Sequence, residues 1–598
     1  MPLLSSLKLI TLFAIVGLSA TTLVHNDWHI SAIGFSFYAY LFTAAFLAVW
    51  GGAVLLYSKR MGLDYPAPVF LLWGYMLFYS VSGAVQWQTF SQAPLFLSIN
   101  GLLLLAYCVF TGTGALQGRV LAAGVSLLAA ILSAVCLLQY AGMVPSVSPF
   151  YAVDGRLANP NLAATFLAMA FPLVLYSTTG AKGYLRWLAL LALILLLAAL
   201  PLLKGRAAFL GVLAGGVCYL FWNTEWFEKF RFSLKSLAAW KVAVAVLVLV
   251  SALSGLGIGL YNAKETSSEG RLMIWQISME LGGKRPWFGH GPNTFSREYN
   301  LAQAAFFSSG QATPSQVFSS DFIKIAYNDY IQNWVEGGWT GLLLFLGFTG
   351  SLLVAPVFIP IRTSERRAAY AGIWAFMVMG MVNSVQYAIP CFALFVLYTS
   401  WLCCPSGKTQ PGPLSRRMAA LIGLFMIVAG VCLLGRLLYM ERVSRHLKTA
   451  AEYLQRGETQ KAVPLLQHIE DILPFSYDYW YWSAMLSYQS KDYQTALQKL
   501  EKATKYGSDP AFFLKMGDCY IRLGQTDEAI RAYSLAMYIV PSRLQPKYVL
   551  LKTFIARGDT LEATKMAREI VAQKPKGISK NAVFYKKEAN DWLNSVQK

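Results

Sequence analysis

The sequence predicts an all-α protein: a polytopic membrane helical bundle of about 13 spans followed by a soluble α-solenoid. Two observations carry that reading. Of the 598 residues, 56% are hydrophobic and only 13% are charged, and a mean hydropathy of +0.47 lies outside the soluble globular range. Apolar runs of about 20 residues, enough to cross a bilayer, recur from Leu7 to about Tyr439; beyond them the pattern becomes short amphipathic helix pairs with an internal repeat.

The spans are expected at 7–24, 34–57, 67–86, 93–111, 119–141, 161–177, 185–203, 206–223, 239–261, 338–361, 368–387, 390–404 and 417–438. The N-terminus resembles a signal peptide, with Lys8 ahead of an apolar run and small residues near Ala20. Further spans follow it, so it reads as an uncleaved first helix. Asn383, Gln386 and Pro390 interrupt the pair between 368 and 404. Basic residues such as Lys59, Arg60, Arg119, Lys182, Arg186, Arg362, Arg366 and Arg367 all fall on one side if the N-terminus is inside, and that side is the cytoplasm. The long loop 262–337 and the C-terminal domain then face outward. Basic loops and a lysine-rich tail account for the net charge of +20 without nucleic acid. Only Cys519 of the eight cysteines lies in the soluble part, which leaves no disulfide framework there, and Cys403 and Cys404 read as packing residues.

The domains divide as a membrane domain over 1–440 and a repeat domain over 441–598. Ala462, Ala496, Ala529 and Ala563 are spaced 34, 33 and 34 residues apart, and Pro474, Pro541 and Pro575 each sit twelve residues after an alanine. The best copy reads Gly517, Tyr520, Gly524, Ala529, Tyr533, Ala536 and Pro541. Small residues let paired helices approach, aromatics fill the space between them, and proline ends the second helix. This segment closely resembles the tetratricopeptide repeat, whose concave groove implies a peptide or protein partner; the bland alternative is a stack that braces the membrane domain.

Outward-facing arginines beside helix ends depart from the positive-inside pattern. Lys204 and Arg206 open the eighth span, where free N–H groups and the helix dipole join the guanidinium in an anion site. Arg271 begins an amphipathic stretch with Leu272, Trp275, Ile277 and Met279 apolar, suited to lying along the membrane surface. Arg156 and Asn159 precede the sixth span in GRLANPN, where Pro160 suits a helix start and asparagine a cap. For Arg156, snorkelling or capping is the competing role. Together the arginines imply a bound polyanion, and a lipid diphosphate suits an outward-facing site without ATP, because the guanidinium fork binds phosphate bidentately and stays charged. In AYNDYIQNWVEGGWTG, Asn328, Gln332 and Glu336 share a helix face beside an aromatic stripe of Tyr327, Tyr330 and Trp334, and Gly337 and Gly338 mark a bend into the tenth span. The stripe alone reads more readily as an interfacial belt than as a sugar platform.

At these residues the chain resembles the O-antigen ligase and O-antigen polymerase family, which includes protein O-oligosaccharyltransferases. Arg206 and Leu210 match its arginine-x3-leucine motif, Arg271 the arginine opening its large loop, GRLANPN its asparagine-rich motif, and Pro286, Gly289, Gly291 and Phe295 its P-x2-G-x-G-x3-F segment. The family's His-Asn followed by G-x-x-G reads here as Tyr327-Asn328 and then Gly338 to Gly341, with the histidine replaced. The resemblance implies glycan transfer from an undecaprenyl-diphosphate carrier to a lipid A core, a lipid-linked glycan or a protein, without cofactor or metal, on the periplasmic face of the bacterial inner membrane. It implies that Arg206 and Arg271, with Arg156, bind the diphosphate and that Tyr327, Asn328 and Asp329 take part in catalysis. Tyrosine is a poor base at neutral pH, so Asp329, Asp321, Glu336 and His290 stand as substitutes; a mechanism with no base, dominated by positioning, also remains.

Three further readings compete. A transporter would show charges at mid-membrane, and the spans carry almost none. A non-catalytic anchor presenting the repeats for envelope assembly would tolerate loss of Arg206 and Arg271. His25 and His29 have ligand spacing for a metal, but the short loop offers no third ligand.

Overall fold

The computed structural model describes residues 2–23, 34–58, 63–87, 92–114, 116–180, 182–222, 265–404, 415–467, 469, 476–576 and 579–596. All regular structure among the described residues is helical. The membrane-type helices are α1 (Pro2–Leu23), α2 (Gly34–Ser58), α3 (Ala67–Trp87), α4 (Gln92–Gly112), α5 (Gly118–Tyr140), α6 (Pro160–Gly180), α7 (Tyr184–Leu203) and α8 (Arg206–Trp222), then α12 (Asp329–Phe358), α13 (Ser364–Gly380), α14 (Ile389–Cys403) and α15 (Arg416–Gln455). Between α8 and α12 lie α9 (Glu265–Lys284), α10 (Phe295–Ser308) and α11 (Pro314–Ser319). The C-terminal helices are α16 (Thr459–Leu466), α17 (Tyr477–Gln489), α18 (Tyr493–Tyr506), α19 (Pro510–Arg522), α20 (Thr526–Ile539), α21 (Leu544–Arg557), α22 (Thr560–Ala572) and α23 (Lys580–Val596).

Every expected span has a helix except 239–261, which lies outside the described residues, as do His25, His29 and Pro474. Among the described residues, 6 helices are long and apolar enough to cross a membrane, and shorter apolar helices such as Arg206–Trp222 and Ile389–Cys403 accompany them. Two boundaries move. The tenth span was expected from 338, but α12 starts at Asp329 and bends at Gly338, whose φ of 60° and ψ of −160° break the helix. The last span was expected to stop at 438, but α15 runs on as one helix of 40 residues to Gln455.

The chain forms two compact units. The first comprises Met1–Ile258, Tyr327–Asn333 and Trp339–Arg442; the second comprises Gly259–Ala326, Trp334–Gly338 and Val443–Lys598. The segment read as a long loop of the membrane domain thus joins the repeats in one unit.

In the first unit, α8 packs on α6 and α13 through small residues. A Cβ on Gly211 would run into Met379, and one on Gly215 would meet Pro172, the Ala371 carbonyl and Ala375 at 3.2–3.3 Å. With no hydrophobic force between helices in lipid, such close approach supplies the van der Waals contact that holds them. Phe376 and Phe395 stack with centroids 3.9 Å apart between α13 and α14. Arg366 is buried rather than a solvated loop charge: it pairs with Asp64 at 2.5 Å and donates to the Cys404 and Pro360 carbonyls. That staple joins the turns before α3, before α13 and after α14.

In the second unit, Ala462, Ala496, Ala529 and Ala563 are all fully buried. A Cβ on Gly517 would strike the Tyr533 ring, whose hydroxyl donates to Asp518 at 2.8 Å, so the small and aromatic repeat positions meet as their spacing predicts. Left-handed residues recur at 457, 491, 524 and 558, each five positions before a repeat alanine, where the turn between paired helices is made. Three are glycine and the fourth is Lys491, with φ 64°. The segment before α12 is seated on this stack. Ala304 of α10 packs with Phe513, Ala536, Ile539 and Val540. Gln303 donates to the Ile539 carbonyl at 2.6 Å, Arg297 to the Thr504 carbonyl at 2.9 Å, and Ser542 and Lys576 to the Ser320 carbonyl at 2.8 and 2.5 Å.

Candidate functional site

Three sequence-distant motifs converge within the first unit. In GRLANPN, Asn159 caps α6 by accepting from the Asn161 N–H at 2.9 Å. Ahead of it Arg156 and Ala158 both sit at positive φ, 64° and 56°. That backbone is held by a knot of hydrogen bonds around Asp154. The buried Asp154 carboxylate accepts from Gln139 and from the backbone N–H of Val147, Ser148 and Arg156 at 2.8–3.0 Å, while the Gln139 carbonyl oxygen accepts from the Asp154 and Gly155 N–H. A side chain in the left-handed region is tolerated only where surrounding bonds over-determine it.

The turn between α7 and α8 is equally tight. Lys204 is left-handed, and Gly205 lies so close to α6 that a Cβ would be 2.5 Å from the Ala164 Cβ and 3.7 Å from the Asn161 amide oxygen. Arg206, half-buried at the first position of α8, is therefore at the same end of neighbouring helices as GRLANPN. Leu210, one turn on, is buried against Val378 of α13, so its packing fixes the turn of helix that begins with Arg206.

Tyr327 precedes α12 with φ 53°, a costly backbone for an aromatic residue. Asn328 is the N-cap: its amide oxygen accepts from the Tyr330 and Ile331 N–H at 2.9 and 3.0 Å, and its amide nitrogen donates to the Met381 carbonyl at 2.8 Å. Asp329 is buried and accepts from the Val385 and Gln386 N–H at 3.0 and 3.2 Å. The polar interruption at 383–386 is thus a turn whose amides face a carboxylate. Asn333, Gln386 and Tyr75 complete a web: Tyr75 donates to Asn333, Asn333 to Gln386 at 3.0 Å, and Gln386 to the Tyr75 hydroxyl at 2.9 Å. From the same turn Asn383 donates to Thr165 at 3.1 Å, and Thr165 donates to the Asn161 carbonyl at 2.6 Å. A hydrogen-bonded path therefore runs from the motif at 155–161, beside Arg206, to the turn that holds Asn328 and Asp329.

The second unit holds Arg271, half-buried on α9. That helix does not turn the expected apolar set to one side. Met273, Ile274, Ile277 and Leu281 are buried, while Leu272 and Met279 are exposed, so its apolar stripe serves the protein interior. Trp275 donates to the Ala326 carbonyl at 3.0 Å, which fixes the residue immediately before Tyr327.

The substitute bases all have structural partners. The buried Glu336 carboxylate accepts from the Asn293 and Phe295 N–H at 3.1 and 3.3 Å, at the start of α10. His290 is buried with Nε2 3.0 Å from the Leu281 carbonyl, and burial lowers its pKa. Asp321 lies 3.8 Å from Lys576.

The glycine motifs mark a backbone crossing. The His290 and Gly291 N–H donate to the Val335 and Glu336 carbonyls at 2.9 and 2.8 Å. A Cβ on Gly289 (φ 64°) would strike the Glu336 carbonyl group, and one on Gly338 would lie 2.5–2.6 Å from the backbone of Pro286, Trp287 and Phe288. No side chain fits on either strand of the crossing. Among the described residues no group of three or more His, Cys, Asp or Glu is placed to hold a metal.

The family model for O-antigen ligase matches residues 191–346, which contain Arg206, Arg271, Tyr327, Asn328, Asp329 and both glycine motifs; Arg156 falls outside. Residues 191–346, about a quarter of the chain, are thus similar to O-antigen ligase. That segment lies in a chain with 6 helices, among the described residues, long and apolar enough to cross a membrane. No curated protein matches the chain. Similar solved structures include the APC/C hetero-tetramer Cut9-Hcn1, at 14% identity over 85% of this chain and 98% of that one with a TM-score of 0.24. Yeast Tom70 is similar at 12% identity over 73% and 90%, with a TM-score of 0.25. Scores this low establish no common fold.

Proposed function

We propose that this O-antigen ligase domain transfers a glycan from an undecaprenyl-diphosphate carrier to an acceptor hydroxyl on the periplasmic face of the bacterial inner membrane. The observation that carries the reading is the family match over residues 191–346, in which Arg206 opens α8 just after the left-handed Lys204. The basic residues of the short loops support the orientation. Arg206, Arg271 and Arg156 bind the diphosphate. The acceptor oxygen bonds to the anomeric carbon as the bond from that carbon to the diphosphate oxygen breaks; undecaprenyl diphosphate leaves with the electron pair, and the acceptor proton passes to solvent or a base. Guanidinium groups aimed at the growing charge lower the barrier because they are already oriented.

In this reading Tyr327 acts on the acceptor hydroxyl, and Asn328 and Asp329 support it by fixing the start of α12. The acceptor is a lipid A core, a lipid-linked glycan or a protein, and the repeats offer a surface for a protein partner. The test is deletion of the gene with analysis of lipopolysaccharide, capsule and glycoproteins, then complementation. Loss of one glycoconjugate, restored by wild type but not by Arg271→Ala, supports the transferase and names its acceptor. Restoration by Arg271→Ala supports a non-catalytic anchor instead.

A further inference from the structure

The end of α9 turns sharply at 284–288, and its tip is apolar in a way the catalytic reading does not use. Arg285 donates to the Gly282 carbonyl at 3.2 Å and Gly289 to the Arg285 carbonyl at 3.0 Å, closing the turn around Pro286. Trp287 and Phe288, at the tip, are 68% and 58% exposed, and Lys284 and Arg285 beside them are exposed as well. The turn is held from behind: the backbone of Pro286, Trp287 and Phe288 lies directly against Gly338, where α12 bends and its apolar stretch begins. Residues 339–358 that follow include Leu342, Leu343, Leu344, Phe345 and Leu346, within a helix long and apolar enough to cross a membrane.

We propose that residues 284–288 form a wedge in the membrane interface, with Trp287 and Phe288 entering the boundary between headgroups and acyl chains and Lys284 and Arg285 binding anionic phospholipid headgroups. The occupant follows from three features. The turn is fixed to the point where an apolar span starts, so it lies at the depth at which that span meets water. Two adjacent exposed aromatics match the aromatic belt of membrane interfaces. The flanking charges are complementary to anionic lipid and are attracted to it within a Debye length. The wedge, rather than the apolar residues of α9, is then the part of this segment that contacts lipid. It depends on α12 being a span and not on the transferase reading.

The experiment uses the full chain in vesicles of phosphatidylcholine with phosphatidylglycerol. A nitroxide is attached at Phe288→Cys and, as an aqueous control, at Gln311→Cys, both in a Cys432→Ser background that removes the exposed native thiol. The proposal expects the label at 288 to collide severalfold more with oxygen than with a water-soluble nickel chelate, and the label at 311 to do the reverse. Lys284→Ala with Arg285→Ala, or vesicles without phosphatidylglycerol, should bring the label at 288 closer to water. Equal nickel accessibility at 288 and 311 overturns the proposal, whether the turn faces solvent or another protein. Should Phe288→Cys not fold, Trp287→Cys carries the same label and the same expectation.

Discussion

The start of α12 and the repeat stack solve one problem, how to pass a chain through a tight place, by opposite means. In the stack the solution is small residues repeated at fixed spacing: the alanines disappear into the helix interfaces and a left-handed residue makes each turn. At the start of α12 the solution is a set of unrelated polar side chains, each satisfying backbone groups of a different segment. Asn328 holds the Met381 carbonyl and Asp329 the amides of Val385 and Gln386. A repeat tolerates variation at single copies because its neighbours share the load, whereas the α12 start depends on each of its bonds. The crossing of Gly289 over Gly338 combines the two, using small residues at a site that occurs once.

That contrast is broken first at the crossing. Gly338→Ala places a methyl group within 2.5–2.6 Å of three backbone atoms and a side chain at positive φ, and should cost at least about 3 kcal/mol. Loss of the folded protein in detergent, by melting temperature and size-exclusion profile, is the expected result. Asp329→Ala should follow, at about 2–4 kcal/mol, because it leaves two buried N–H groups unpaired. Asp329→Asn keeps the shape and should lose less; if Asp329 positions the helix and does not accept a proton, the pH profile of transfer is unchanged in that variant.

In the stack the effects are smaller. Lys491→Gly removes the left-handed strain from the one turn that lacks glycine and should raise stability by about 1 kcal/mol. The melting temperature decides, and no change would mean that side-chain contacts of Lys491 offset the strain. The smallest effect concerns Asp478, whose pKa burial pushes up to about 6, with nearby Lys324 pulling it down and Asp509 adding to the rise. Its folded value is above the unfolded value, so the folded state binds more protons between about pH 4 and 6, and the group's contribution falls as pH rises through that window. Asp478→Asn should flatten the dependence there and leave the protein more stable at pH 7.

How much of this was legible follows from the same contrast. The helical class, the repeat period, the Asn159 cap and the bend at Gly338 were all written locally, in hydropathy, spacing or residue type. The Asp154 knot was not, because Gln139 reaches it from the end of an apolar helix where a lone glutamine carries no pattern. The interruption at 383–386 was visible as polarity, but its partner, Asp329, lies more than fifty residues earlier. The seating of α10 on the repeats was hidden for a similar reason: Gln303 and Ser320 bond to main-chain carbonyls and hydroxyls, which leave no complementary residue types to read. Arg156, Arg206 and Arg271 stand out in the sequence by their places beside expected helix ends; the backbone bears out two of those places, the left-handed turn before α6 and the first position of α8, whereas Arg271 lies within α9.

In the proposed transfer, arginine geometry, and not positive charge alone, stabilises a departing diphosphate. Purified full-length protein in proteoliposomes, given an undecaprenyl-diphosphate-linked glycan and an acceptor, allows release of undecaprenyl diphosphate to be followed for wild type, Arg206→Lys and Arg206→Ala. The expected result is a loss of about 10²–10³ in rate for alanine and a large loss for lysine as well, since an ammonium cannot reproduce the two-pronged contact. Full activity in Arg206→Lys would contradict it.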